Sequence, residues 1–366
     1  MTNPSVTSEK GTPSMLAWTY PLVALTAFGL TLVSVPLAAR LARQWNAIDW
    51  PGPRKFHAKP IPRLGGLAIF GAVILTLSPF LEGPVVREGL AILGAGSLIA
   101  IVGFLDDMGR LHSQVKLFFA MPLAALILMA AGIRAEVTPW PWLNVGITLL
   151  WVVGIICAFN LLDNMDGLTA GVSAVAAVFF TVFAVLWSQS LVGLLGAAAL
   201  GVSVGFLVYN FHPARIFMGD GGAMFLGFLM ATLGLKLRPI GIPSGVSWMV
   251  PVLVLGVPIF DTTLVTVSRT RRGLIPFMSP GKDHLSHRLY RLGLDPRQVA
   301  WIHYGLSGVL GLTALGLVAL RVPAWGWGLV AVGLAAAGII AIPALERVPF
   351  EPQAGVQWRE LMSRLR

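Results

Sequence analysis

Four short runs of this chain bring together residue types that do chemistry, and each borders apolar sequence. The first is Asp106-Asp107, at the end of an apolar stretch. Adjacent carboxylates at a membrane boundary raise each other's pKa, hold a divalent cation, or do both, against the plainer reading of a solvated helix end. The second, Asn160-Leu161-Leu162-Asp163-Asn164-Met165-Asp166-Gly167, carries two carboxylates three positions apart, which one helical turn would put on one face. The third runs from Asn210 through Phe217 to Gly222, and there Asp220 precedes two glycines where an apolar stretch begins. Exposed amides at a helix N-terminus suit phosphate, and a carboxylate beside them suits Mg²⁺ bridging that phosphate. The fourth is Asp283-His284-Leu285-Ser286-His287-Arg288, where His284, His287 and Arg288 lie at helical spacing and could gather on one phosphate, or be incidental to a basic loop.

The elements that must position these runs are membrane helices. The 366 residues are 56% hydrophobic and 11% charged, with mean hydropathy +0.80, whereas a soluble domain carries roughly 25% charged residues. The expected fold is an all-α polytopic integral membrane protein with about 11 transmembrane helices, near 16–39, 64–81, 90–105, 116–133, 143–162, 168–187, 190–209, 219–235, 246–267, 299–319 and 324–343. Residues 1–15 read as a disordered tail, 16–343 as one transmembrane domain and 344–366 as a C-terminal tail. The first apolar stretch reads as a retained anchor, since ten more follow. The single cysteine, Cys157, excludes a disulfide framework and a thiolate metal site.

The net charge of +10 does not point to nucleic acid, because the basic residues sit in loops between apolar stretches. With the N-terminus outside, 20 of the 26 Lys and Arg fall in inner segments, and six (Lys10, Arg87, Arg134, Lys236, Arg238, Arg321) in outer ones. That asymmetry predicts an N-terminus outside, a C-terminus in the cytoplasm, and all four chemical runs on the cytoplasmic face. Three further positions carry two readings each. Lys116 is a snorkelling anchor or a phosphate contact; the basic, proline-rich loop with Lys59 and Arg63 binds phosphate or anchors the protein to headgroups. Asp261, alone in a span, is functional by default or pairs with Arg269, the reading preferred from spacing.

Taken in order, the runs Pro62-Arg63-Leu64-Gly65-Gly66, Asp106-Asp107, Asn160-x-x-Asp163-x-x-Asp166-Gly167, Asn210 to Gly222 and the histidine loop resemble the polyprenyl-phosphate N-acetylhexosamine-1-phosphate transferase superfamily. The resemblance covers about residues 45–295 and is strongest to its WecA/TagO branch (glycosyltransferase family 4), with MraY more distant. It implies Mg²⁺-dependent transfer of a sugar 1-phosphate, N-acetylglucosamine 1-phosphate by analogy, from a UDP-sugar to undecaprenyl phosphate, releasing UMP. That would be the first membrane step of a cell-envelope polysaccharide, in the bacterial cytoplasmic membrane, with Mn²⁺ as an alternative ion and a homodimer as one oligomeric option. By the same resemblance Asp106 and Asp107 match the catalytic pair, and Asp220 and Asp166 the metal ligands. Asn160, Asp163, Asn210, Phe217, Lys116, His284, His287 and Arg288 match nucleotide or substrate contacts, and Lys59 and Arg63 the lipid-phosphate side. Two positions depart from the pattern: Asn164 stands where the family more often has glycine, and Ser286 interrupts what is usually a denser histidine cluster.

Three alternatives are weighed against this. An MraY-like transferase would move phospho-MurNAc-pentapeptide. A secondary transporter would place its ionisable groups near the midplane and show repeated halves, and no repeat is evident. A CDP-alcohol phosphatidyltransferase resembles Asp-Gly-x-x-Ala-Arg with two later aspartates, whereas this chain reads Asp166-Gly167-Leu168-Thr169-Ala170-Gly171 and then continues apolar.

Overall fold

The structure, a computed structural model, describes residues 13–51, 59–111, 113–276 and 281–348. The chain order is α1 (Pro13–Gln44), β1 (Ile48–Asp49), β2 (Ile61–Pro62), α2 (Gly65–Leu77), α3 (Val86–Asp107) and α4 (Ser113–Val115). A π-helical turn, Lys116–Ala120, joins α4 to α5 (Met121–Ala130). Then follow α6 (Pro141–Leu162), α7 (Leu168–Leu186), α8 (Ser190–Asn210), α9 (Gly219–Lys236), α10 (Ser244–Ser247), α11 (Met249–Val254) and α12 (Gly256–Arg271). The short α13 (Leu285–Arg291), α14 (Pro296–Ala319) and α15 (Ala324–Glu346) complete the chain.

Each of the eleven expected apolar stretches is helical. Seven helices are long and apolar enough to cross a membrane, and the α10–α12 segment, bent by 83° at Leu255, makes an eighth if counted as one span. The protein is therefore a polytopic, mostly helical membrane protein. Two expectations change. β1 and β2 pair antiparallel, Ile48 opposite Pro62 and Asp49 opposite Ile61, so the chain is not purely helical: this ribbon closes the base of the 50–60 loop. The N-terminal helix starts at Pro13, inside the expected tail; residues 1–12 and 349–366 lie outside the described residues, as does the basic segment 52–58.

Burial sorts the helices by role. α15 buries only Gly326 and Trp327, and α1 is exposed along most of its length, so both present side chains to lipid, while α7 and α8 are buried along most of theirs. The central pillar is α9, flanked by α3, α6 and α2 and buried almost all round, from Gly221 through Phe225, Phe228 and Leu229 to Leu235. A helix apolar on every face belongs inside a bundle. Small residues let its N-terminal turn approach its neighbours: a Cβ on Gly66 would lie 2.2 Å from the Gly222 nitrogen, and one on Gly103 2.5 Å from the Gly221 Cα. Backbones that close leave no room for a methyl group, and packing of this kind is how membrane helices associate. It brings the end of α3 (Asp106, Asp107) directly onto the start of α9 (Asp220).

Candidate active site at the mouth of α9

The site forms where the ends of α3, α6 and α8 meet the start of α9. The 59–66 segment is zipped along 216–218: Phe217 N–H donates to the Pro62 carbonyl (2.8 Å), and Gly65 and Gly66 donate to the carbonyls of Phe217 and Met218 (2.9 and 2.8 Å). Arg63 is thereby carried over the acidic corner, 3.3 Å from Asp107 and 3.5 Å from Asp220. Asp107 accepts from the backbone N–H of Asp220 (2.9 Å) and Gly221 (3.0 Å), so it satisfies orphan donors at the N-terminus of α9. Lys116 bridges the remaining pair, 2.6 Å from Asp106 and hydrogen-bonded to Asp220. Its ammonium is buried, so the snorkelling reading fails: the π-helical turn that begins at Lys116 aims it into the acidic corner.

The second run is not a helical turn, contrary to the spacing argument. α6 ends at Leu162 and α7 begins after Gly167, whose φ of 76° is the left-handed conformation that glycine adopts without penalty. Asp163 and Asp166 nevertheless share one cavity. Asp166 lies 2.8 Å from His212 Nδ1 and accepts from Ala214 N–H (3.0 Å). Asp163 is pushed up to about 7 by burial first and then by the Asp220 charge. Asn210 ties the two loops together, accepting from Gly167 N–H and donating to the Ile216 carbonyl, both at 2.9 Å. Both ends of its buried amide are thus engaged by backbone. Asn210→Ala is expected to lower stability by about 1–3 kcal/mol, because it strands buried partners, and to cut turnover as the loops separate; an unchanged melting temperature would count against this role.

The cavity has a volume of about 980 Å³, within the range of ligand pockets. Its wall combines carboxylates (Asp49, Asp163, Asp166, Asp220) with cationic side chains (Lys59, Arg63, Arg215, Lys282). Of the residues expected at the site, Asn160, Asp163, Asp166, Asn210, Phe217, Asp220, His287, Lys59 and Arg63 line it. Asp106, Asp107 and Lys116 stand behind that wall and reach the cavity through Asp220 and Arg63.

The expected phosphate cluster of His284, His287 and Arg288 does not form. Arg288 is fully buried, donating to the Asp283 carbonyl (3.0 Å), Ser268 Oγ (3.1 Å) and the Leu345 carbonyl, which ties α13 to α12 and α15. His284 faces away, its Nδ1 2.8 Å from Asp261, which also accepts from Leu285 N–H (2.7 Å). The preferred partner of Asp261, Arg269, is instead committed to Asp283 through two hydrogen bonds of 3.0 and 2.8 Å. Only His287 of the three reaches the cavity. His212, Arg215, Asp49 and Lys282 were missed as cavity residues. The signal for His212 and Arg215 was their place inside the Asn210–Gly222 run; nothing local marked Asp49 or Lys282.

Among the described residues, no three His, Cys, Asp or Glu side chains form a ready-made metal centre. The donor set still fits a hard divalent ion. Mg²⁺ commonly takes one or two carboxylates and completes its shell with water and substrate phosphate oxygens, and the cavity offers carboxylate oxygens from two loops beside four cationic side chains.

The class of this membrane bundle, whose cavity at the mouth of α9 mixes carboxylates with cationic side chains, is given by sequence comparison. Residues 90–238 match glycosyl transferase family 4. A Bacillus subtilis (strain 168) protein named probable undecaprenyl-phosphate N-acetylglucosaminyl 1-phosphate transferase is 35% identical over 297 residues, covering 78% of this chain and 81% of its own. The decaprenyl-phosphate N-acetylglucosaminephosphotransferase of Mycobacterium tuberculosis (strain ATCC 25618 / H37Rv) is 33% identical over 329 residues, 80% of this chain and 81% of its own. A phospho-N-acetylmuramoyl-pentapeptide-transferase from Desulforudis audaxviator (strain MP104C) is 34% identical over a shorter 239 residues, 55% of this chain and 71% of its own. The chain belongs to glycosyl transferase family 4.

Proposed function

We propose that this protein transfers N-acetylglucosamine 1-phosphate from its UDP-sugar to undecaprenyl phosphate, releasing UMP. The observation that carries this reading is the cavity itself: carboxylates and four cationic side chains converge where α9 begins, on a family 4 bundle. The similarity to proteins named as polyprenyl-phosphate N-acetylglucosamine-1-phosphate transferases supports the sugar and the lipid. The shorter match to the pentapeptide transferase disfavours the MurNAc substrate.

Both substrates bear phosphate, so bringing them together means bringing anions together. Lys59, Arg63, Arg215 and Lys282 would offset that repulsion. Asp220 and Asp166 would hold Mg²⁺, which when bound supplies charge neutralisation at the reacting phosphates. An oxygen of the lipid phosphate attacks the β-phosphorus of the donor, the bond to the bridging oxygen breaks, and UMP leaves with that oxygen. Asp163 is assigned to take any proton the lipid phosphate still carries: once Asp166 and Asp220 are given to the ion, Asp163 and Asp49 are the cavity-lining carboxylates left, and burial pushes Asp163 up to about 7. Asp107, Asp106 and Lys116 act by holding the first turn of α9, and hence Asp220, in place. Asn160 and Phe217 face the nucleotide.

The test is UMP release from a panel of UDP-sugars with undecaprenyl phosphate, run beside flux measurements in proteoliposomes. Rapid release with UDP-N-acetylglucosamine supports the reading; sugar flux without UMP would transfer the case to a transporter.

The proposed topology has eleven crossings, the N-terminus outside and the cavity on the cytoplasmic face of the bacterial inner membrane. In a Cys157→Ala background, an impermeant maleimide should label Thr138→Cys in intact spheroplasts and Arg291→Cys only after permeabilisation. The reverse pattern would invert the topology.

A further inference from the structure

Asp166 and His212 face one cavity, 46 positions apart, and the bond between them is not what holds their loops together. Other bonds already do that. Asn210 accepts from Gly167 N–H and donates to the Ile216 carbonyl, each at 2.9 Å. α14 clamps both loops as well: Tyr304 Oη donates to the Gly167 carbonyl at 2.7 Å, and Arg297 Nε to the His212 carbonyl at 3.0 Å. The Tyr304 ring fits there because Gly171 has no Cβ, which would lie 2.0 Å from it. A capping box, Asp295 with Gln298, fixes the turn of α14 that carries Arg297. None of these bonds uses the His212 side chain.

The His212 ring instead holds one carboxylate oxygen. A carboxylate only accepts, so Nδ1 carries the proton and donates to Asp166 Oδ2 at 2.8 Å. Ala214 N–H donates to the same oxygen at 3.0 Å. The end of an aspartate otherwise turns broadly about its last bond. Two donors on Oδ2 stop that rotation and leave Oδ1 as the oxygen that Asp166 presents to the cavity. The side chains of His212 and Asp166 are 31% and 20% exposed, so the pair stands at the cavity wall and not in the core. Mg²⁺ demands near-ideal octahedral geometry, whereas Ca²⁺ also takes carboxylates through both oxygens. A carboxylate pinned by one oxygen therefore suits the smaller ion. Partners that orient a metal-binding side chain commonly contribute roughly 10–100-fold in affinity.

Resting on the phosphoglycosyl transferase reading above, we propose that His212 is a positioning residue for Asp166: with the Ala214 N–H it pins one carboxylate oxygen and presents the other to the divalent cation. Its effect passes through Asp166, and it favours Mg²⁺ over Ca²⁺.

Titration of the purified full-length protein with Mn²⁺, followed by the EPR signal of the free ion, reads this without turnover. Displacement of bound Mn²⁺ by Mg²⁺ or Ca²⁺ then gives the selectivity. His212→Ala should raise the Mn²⁺ Kd about tenfold or more. His212→Asn should stay within about threefold of wild type, because its amide N–H stands where Nδ1–H stood. His212→Ala should also bring the Mg²⁺ and Ca²⁺ affinities about threefold closer together, which loosened packing alone would not do. Both variants should melt near wild type, since the bonds that join the loops remain. In UMP release, His212→Ala should raise the half-saturating Mg²⁺ concentration with little change in donor KM. A wild type that binds no Mn²⁺, wild-type Mn²⁺ affinity in Asp166→Asn or His212→Ala, or an asparagine variant as poor as alanine would each overturn the proposal. Mn²⁺ affinities in the expected order support it even if no UDP-sugar is consumed, so it stands or falls separately from the transferase reading.

Discussion

Asp220→Asn in the full-length protein is expected to lower Mg²⁺-dependent UMP release by about a thousandfold or more, since several kcal/mol of charge stabilisation at the reacting phosphates depend on it. Three features of the geometry argue for so large an effect. Asp220 lies in the first turn of α9, where exposed amides already favour anions, and it lines the cavity. Its carboxylate is the meeting point of Lys116 and Arg63. It is also the cavity-facing member of the acidic corner, because Asp107 is spent on the backbone of Asp220 and Gly221. The asparagine keeps the shape and an acceptor oxygen while removing the charge, so the variant should insert and melt close to wild type. Turnover within tenfold of wild type at the Mg²⁺ concentration that half-saturates the wild type would remove Asp220 from the metal assignment. Raising the Mg²⁺ concentration should recover part of the loss if the residue binds the ion, and none of it if the residue serves only the α9 terminus.

The second large effect is structural. Asp283→Ala is expected to cost about 3–5 kcal/mol of stability, because it leaves the Arg269 guanidinium, itself 3% exposed, buried without its partner. Arg272 also pairs with Asp283, and Arg269 donates further to the Pro276 carbonyl at 2.6 Å. This network anchors the loop that delivers His287, so activity should fall together with thermal stability. The pH dependence has a definite sign. Burial alone would raise the Asp283 pKa, but hydrogen bonds and charge from Arg269 outweigh it and hold the carboxyl at about 2. Its ordinary value is about 3.9, so the pair's stabilisation is complete above roughly pH 4 and is lost as pH falls toward 2. The shift is worth about 2–3 kcal/mol. Wild type should lose this increment between about pH 4 and 2, and Asp283→Ala should not. Melting curves in detergent across that range decide it, and parallel curves for the two proteins would refute the assignment.

Membrane character, the eleven helical stretches and the order of the chemical runs were legible in the sequence. Burying a helix in lipid requires about 20 apolar residues, and a carboxylate near it has a high desolvation cost. Such patterns are local and survive without a partner. The glycines of Gly65-Gly66 and Gly221-Gly222 were legible as motifs, but their pairing across α2 and α9 was not, because close approach is a property of two backbones together.

Which member of each run faces the cavity depended on contacts between distant segments. Asp106 and Asp107 are neighbours in sequence, yet one meets Lys116 and the other caps a helix more than a hundred residues away. His284 and His287 share a helical spacing, yet Asp261 holds the first away from the cavity. Asp163 and Asp166 converge through a left-handed Gly167 and Asn210 where a helical turn had been expected. That most of the aspartates and histidines would collect at helix ends was readable from the sequence, since solvation cost disfavours them in the apolar interior, Asp261 and His303 being the exceptions buried inside α12 and α14. Their division between cavity and scaffold depended on which buried donor each one had to satisfy, and those donors come from distant segments.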